Sequence, residues 1–324
     1  MPAREYLSDR QLRVLEAVVQ TYVETAEPAG SQTIARRYGL GVSPATIRSI
    51  MSELEEQGYL FHPHTSAGRV PTDRAYRAYV DHVMRRSPIS DHEQIALKAE
   101  LEVPRNAVEE VLRRAAQVLG VLTQELGLAV GPALDRVILE RMELVRVSSD
   151  RLLLVFNLRS GVVRTIFVQV PGAVAAEAVQ RVAQVLNERL AGHTLQEIRL
   201  TLADRLRDVD SPVDGRELLN IFIAEGDDIF DLSGDSDALL LGSAQMLAEQ
   251  PEFSSNSRMR ELLDLTERRD VLKQALEARR RSGLSITIGG ENDDPRLTDL
   301  TLVTSSYRAG ALMGVIGVIG PTRM

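Results

Sequence analysis

Ser43-Pro44-Ala45-Thr46-Ile47-Arg48-Ser49-Ile50-Met51-Ser52-Glu53-Leu54-Glu55-Glu56-Gln57 is the stretch from which the N-terminal fold can be read. Ser43 suits an N-cap and Pro44 the first helical position, so a helix is predicted from Ser43 to Gln57, closed by Gly58. Ile47, Ile50, Met51 and Leu54 fall at i, i+3, i+4 and i+7, one narrow apolar stripe that must pack on other elements. The opposite face carries Ala45, Ser49, Ser52 and Glu56, flanked by Thr46 and Arg48. Apart from Arg48, this face is small and uncharged through its first two turns. A helix that enters the major groove needs that to approach base edges. Glu53, Glu55 and Glu56 cluster at the far end, where they would point out of the groove. Ser43 and the free amides of the first turn suit a phosphate.

Upstream, Leu12, Leu15, Val18, Val19, Tyr22 and Val23 recur at helical spacing, so Asp9 to Thr25 is predicted helical, with Ser8 or Asp9 as cap and Glu27-Pro28 as stop. A short helix is predicted from Ser31 to Tyr38, broken by Gly39-Leu40-Gly41. Downstream, Tyr59 to Thr72 reads as two short strands around a loop, with Ser66-Ala67-Gly68 able to turn tightly. A helix from Asp73 to Arg85 follows. In the two-strand segment His62, His64, Thr65, Ser66 and Arg69 supply cationic or hydroxyl-bearing groups for a DNA backbone or minor groove. His62 and His64 alternate like polar strand positions, and no third metal ligand of the usual kind is nearby. The alternative reading is a plain three-helix packing unit with solvated polar faces.

Residues 90–130 are helical in pattern, interrupted at Pro104, and are expected to connect domains. From Arg136 to Val170 the period changes to three strand-like runs separated by Ser-Asp and Ser-Gly turns. Residues 173–191 form an amphipathic helix pattern, and 193–280 are mainly helical, with an acidic loop from Glu225 to Asp237. The last forty residues return to strand. The C-terminal strands are expected to join the 136–170 strands in one sheet, with the helical stretch inserted between them.

The formal charge is −8, and it is unevenly spread. Residues 1–90 carry 11 arginines against 10 carboxylates, so the segment is +1 and the remainder −9. Only the first segment can approach a phosphate backbone without a large repulsive field. Arginine replaces lysine almost throughout the chain, so arginine richness is not itself a signal. There is no cysteine, which removes disulfides, thiolate metal sites and thiol nucleophiles. The N-terminus has no apolar secretory stretch, and the longest uncharged apolar run, Ala309 to Pro321, is too short to span a bilayer, so a cytoplasmic protein without a membrane partner is expected. Gly314, Gly317 and Gly320 lack the strand-to-helix setting of a dinucleotide loop and fit strand glycines. His82, His92 and His193 have no serine or cysteine partner pattern, so no catalytic constellation is present and an enzyme is not expected. The acidic run from Gly226 to Asp237 lacks calcium-loop spacing.

Glu27-Pro28-Ala29-Gly30-Ser31, Ser43 to Arg48, Leu54 to Leu60 and His62 to Thr72 together resemble the heat-inducible transcription repressor HrcA family. Pro251-Glu252-Phe253, Ile288-Gly289-Gly290-Glu291-Asn292, Leu302-Val303-Thr304 and Gly317 to Met324 extend the resemblance over the whole chain. It implies an α+β protein: an N-terminal winged helix-turn-helix, then a GAF-like α/β domain carrying a mainly helical dimerisation insertion. The expected boundaries are a DNA-binding domain at 1–88, a helical linker at 89–130, the GAF-like domain at 131–195 and 282–324, and the dimerisation insertion at 196–281. It further implies a homodimer on an inverted-repeat operator of chaperone operons, released on heat stress, with the chaperonin GroEL as a partner and no cofactor. Members of that family usually continue past Gly-Pro-Thr-Arg-Met into a terminal helix, whereas this chain stops at Met324, a departure from the family pattern that leaves open whether the chain is truncated. The expected DNA contacts are Ser43, Ala45, Thr46, Arg48, Ser49 and Ser52 from the helix, and His62, His64, Thr65, Ser66 and Arg69 from the wing. The alternative is a winged-helix regulator whose sheet domain binds a metabolite.

Overall fold

A computed structural model describes residues 7–324 except 65–67, 85–87, 102–107, 133, 135–136, 171, 173, 210–212, 232–238 and 310–311. The chain opens with α1 (Asp9–Thr25), whose cap Ser8 and Gln11 form a reciprocal capping box. Helix α2 (Ser31–Tyr38) ends on Gly39 at φ 55°, and α3 (Pro44–Glu56) follows. A two-stranded antiparallel ribbon, β1 (Leu60–Phe61) and β2 (Val70–Pro71), leads into α4 (Asp73–His82). Helix α4 is capped by Val83, two residues short of the Arg85 end expected from the sequence, and Arg85 lies outside the described residues. Leu15, Val18, Ile34, Ile47, Leu54 and Leu60 close one core beneath this N-terminal head.

Helices α5 (Asp91–Glu100) and α6 (Val108–Thr123) connect the head to the rest, and Pro104 lies outside the described residues. The helical pattern expected to reach residue 130 stops at Thr123, because Leu126–Val130 is a strand, β3. Two sheets then form. The first has strand order β7-β3-β10-β9-β8, where β7 is Leu239–Leu241, β8 Leu284–Ile288, β9 Leu300–Ala309 and β10 Leu312–Pro321, all antiparallel. Helix α6 packs closely on it, since a Cβ at Gly127 would overlap the Ala116 carbonyl. Helices α11 (Ala244–Ala248), α12 (Asn256–Glu267) and α13 (Arg269–Glu277) contribute to the same core.

The second sheet, β4-β5-β6, is built from β4 (Leu139–Arg146), β5 (Arg151–Leu158) and β6 (Val163–Gln169). One face is covered by α7 (Ala176–Leu190), α8 (Leu195–Leu206), α9 (Val213–Ala224) and α10 (Gly226–Phe230), with Phe156 edge-on to Phe230 at 5.6 Å. The single sheet expected to unite residues 136–170 with the C-terminal strands is therefore two sheets. Of the C-terminal strands, β10 pairs with β3, which pairs in turn with β7, and the three-stranded unit is spliced into the chain between β3 and β7. Burial explains the partition. All five residues of β3 and most of β10 are buried, as central strands require. Strand β5 instead alternates buried and partly exposed positions, leaving its sheet one open face. The start of the expected acidic loop, Gly226–Phe230, is helical, and most of the remainder lies outside the described residues.

Candidate nucleic-acid interface

Helix α3 starts where the sequence places it. Ser43 has extended backbone, its Oγ accepts from the Thr46 amide at 3.1 Å, and Pro44 opens the first turn. Ser43 Oγ also lies 2.9 Å from Thr46 Oγ1, so one of its bonding directions is spent within the cap. Ile47, Ile50, Met51 and Leu54 are the buried residues of the helix. That leaves Ser43, Ala45, Arg48 and Ser49 exposed on one side, with Thr46 and Ser52 half-buried at its margins. Ser52 Oγ donates to the Arg48 carbonyl at 3.1 Å, which leaves its lone pairs free to accept but not its hydrogen to donate. The Arg48 guanidinium has no hydrogen bond or ion pair with the described residues.

The carboxylates at the end of α3 are not a common solvated cluster. Glu53 accepts from Gln11 Nε2 at 3.2 Å, joining α3 to α1, and Glu55 pairs with Arg69 at 2.7 Å. Arg69 is thus drawn back onto α3, its side chain only 17% exposed. Its backbone exchanges two 2.9 Å hydrogen bonds with Ala29 in the α1–α2 turn. Gly68 permits this approach, because a Cβ there would overlap the Ala29 carbonyl. Of the other ribbon residues, His62 is half-buried and His64 exposed, whereas Thr65 and Ser66 lie outside the described residues. No group of three metal-ligating side chains forms among the described residues.

Contacts that sequence reasoning missed hold this surface in place. Thr72 Oγ1 donates to the Gly58 carbonyl at 2.8 Å, and Arg74 donates to the Gln57 carbonyl at 2.7 Å. The Arg74 guanidinium also lies 4.4 Å from the centre of the Tyr59 ring. These residues lock the end of α3 and the ribbon to α4. On the far side of α4, Arg77 donates to Glu291 Oε1 at 2.8 Å and to the Ile286 carbonyl at 2.6 Å, while Asp73 accepts from the Gly290 amide at 2.8 Å. Asn292 pins that loop from beneath, donating to the carbonyls of Gly289, Leu297 and Leu300 at 2.9–3.1 Å. The only signal for these partners was their presence in motifs with no periodicity of their own, such as Gly289-Gly290-Glu291-Asn292.

The family described as "HrcA protein C terminal domain" matches residues 109–324. The heat-inducible transcription repressor HrcA of Chlorobium phaeobacteroides (strain BS1) is 39% identical over 98% of this chain and 93% of its own length. The protein of the same name from Desulforamulus reducens is 37% identical, over 98% of this chain and 91% of its own. A crystal structure described as that of a hypothetical protein superposes with a TM-score of 0.66 at 23% identity, covering 98% of this chain and 93% of that one, which speaks to the fold alone. With two thirds of its length inside the family's C-terminal domain and relatives aligned nearly end to end, this chain belongs to the HrcA family.

Proposed function

We propose that the chain is a heat-inducible transcription repressor in which residues 1–88 form a winged helix-turn-helix that reads operator DNA through α3. The observation that carries this reading is the exposed N-terminal face of α3. Ser43, Ala45 and Ser49 are small enough to let the backbone approach base edges, and Arg48 extends from the same face, its guanidinium uncommitted among the described residues. The ribbon β1–β2 is the wing, with His64 exposed and His62, Thr65 and Ser66 assigned to the DNA backbone. Arg69 is assigned to hold the wing on Glu55, and it contacts phosphate only where that ion pair opens.

The second half of the proposal is a homodimer on an inverted repeat. A head of charge +1 gathers little general phosphate attraction, so two heads at fixed spacing supply the affinity that one lacks. In place of the 196–281 insertion that the family resemblance implied, the second copy is assigned to the open face of β4-β5-β6, where Val145, Val163 and Phe167 are each about half exposed. Release on heat stress then follows from loss of this pairing. The test is Arg48→Ala in a gel-shift titration on chaperone-operon operator DNA. A loss of about 1–3 kcal/mol is expected for a direct base contact. Unchanged affinity removes Arg48 from the interface, and no footprint from the unaltered protein overturns the reading.

A further inference from the structure

Helix α1 has no basic residue in its last turn, so its C-terminal carbonyls lack the cation that commonly complements that end of a helix. The cation comes instead from the far end of the chain. Arg323, two residues past β10, donates from Nη1 to the Val23 carbonyl in the last turns of α1 at 2.8 Å. The same guanidinium donates from Nε to Glu252 Oε1 at 2.6 Å, and from Nη2 to Gln250 Oε1 at 2.7 Å and Glu252 Oε2 at 3.2 Å. Its side chain is only 12% exposed. One planar fork thus ties the DNA-reading head to the turn between α11 and α12, in a setting screened from water, where such a pair is strong and its loss is not compensated by solvent.

The surroundings make this tie a determinant of geometry rather than one contact among many. The head meets the core along α1 and α4, yet clefts interrupt the contact. A cleft of 360 Å³ runs between Val23, Tyr79 and Val80 of the head and Ile286, Val303 and Met324 of the core. Another of 610 Å³ lies between Phe61 and Pro71 of the ribbon and Leu262, Thr298 and Leu300. Tyr76 and Thr322 border both. Apolar packing across the junction is confined, among the described residues, to Ile288 of β8, buried in the head's core with Ile286 beside it. A contact that narrow, flanked by gaps, leaves the angle of the head to be set by discrete polar clasps. Among the described residues there are two: Asp73 and Arg77 against Gly290 and Glu291, and the Arg323 fork.

We infer that Arg323, seated on Glu252, is a positioning residue that sets the angle of the reading head on the core and thereby the half-site spacing that a dimer accepts. This rests on the DNA-reading proposal above. Removing the fork leaves α3 and its base-facing side chains intact but lets the head rotate about the remaining Asp73–Arg77 clasp. Affinity for a single half-site then stays as it was, while the penalty for wrongly spaced half-sites shrinks. Arg323→Lys keeps the charge but cannot span Val23, Gln250 and Glu252 together, so it restores only part of the discrimination.

The experiment uses the full chain and two readouts. The first is the affinity of unaltered protein, Arg323→Ala, Arg323→Lys and Glu252→Gln for a single half-site, for the operator, and for operators with inserted base pairs between half-sites. The second is the distance distribution between spin labels on Gln32→Cys in the head and Glu267→Cys in α12, accessible because the chain has no other cysteine. The unaltered protein is expected to favour native spacing by about tenfold or more, and Arg323→Ala to lower that preference to about threefold or less, as linked binding sites do when their geometry loosens. The label distances are expected to broaden in the same variant. If Arg323→Ala does not fold, Glu252→Gln, which keeps an acceptor but removes the ion pair, carries the same expectation. An unchanged spacing preference with an unchanged distance distribution overturns the inference. Failure of the unaltered protein to bind any half-site overturns the DNA-reading proposal instead, and the label distances then decide the positioning role by themselves.

Discussion

Arg48 and Arg69 show how much a side chain's meaning depends on its neighbours. Both are cations beside the exposed face of α3, but Arg69 is neutralised by Glu55, while Arg48 has no partner among the described residues. Glu125 is the opposite case, a charge-bearing group in a place that resists charge. It sits in the turn between α6 and β3, 5% exposed, with Oε2 lacking any hydrogen-bond partner. Burial pushes its carboxyl up to about 8, against the opposing pull of Arg323 and with a smaller push from Glu252. The folded chain therefore holds a proton on Glu125 that the unfolded chain releases near pH 4.5. Stability from this group is full below that pH, falls as pH rises towards 8, and is level above it. The loss across the window is at most on the order of 5 kcal/mol. Glu125→Gln is expected to remove this slope, so urea unfolding at pH 5.5 and 8.5 should show the variant gaining on the unaltered protein as pH rises. Parallel pH dependence in the two would contradict the assignment.

Among the elements, the ribbon shows how a short strand pair survives. Two residues per strand cannot stabilise a hairpin alone. This one is held at both ends, by the Ala29–Arg69 bridge at its tip side and by Thr72 and Arg74 at its base. The bridge exists only because residue 68 lacks a side chain. Gly68→Ala forces Ala29 and the ribbon apart and is expected to destabilise the head by about 2 kcal/mol, with α3 retained. Thermal unfolding followed by circular dichroism measures this, and a melting temperature equal to that of the unaltered protein would show that the ribbon does not depend on the close approach.

For the whole molecule, the charge divides into a head of +1 and a body of −9, so under the proposed function the body holds the heads rather than touching DNA. Its three-stranded sheet carries Phe167 on the open face, with the Arg151 guanidinium 4.8 Å from the ring centre. Phe167→Glu is expected to leave the monomer folded, because that face is not part of the unit's own core. It should shift sedimentation from dimer towards monomer and lower operator affinity by about tenfold or more, with single half-site binding unchanged. A dimer that persists at micromolar concentration would place the pairing surface elsewhere.

The first three head helices could be read almost to the residue, because their caps, stops and 3.6-residue apolar stripes are local features. Ser8, Ser43-Pro44 and Gly39 act wherever the rest of the chain lies. The exposed face of α3 was legible for the same reason, being the complement of Ile47, Ile50, Met51 and Leu54. Alternation marked 136–170 and the C-terminal runs as strands, yet it is blind to partners, since a strand's period is the same whichever neighbour it bonds. Long-range pairing made β3 and β10 adjacent and set the three-stranded sheet apart. Folding likewise brought Arg69 to Glu55, and Arg323 to Val23 across 300 residues of chain. Such contacts depend on how packed layers meet, and one-dimensional spacing carries no record of that.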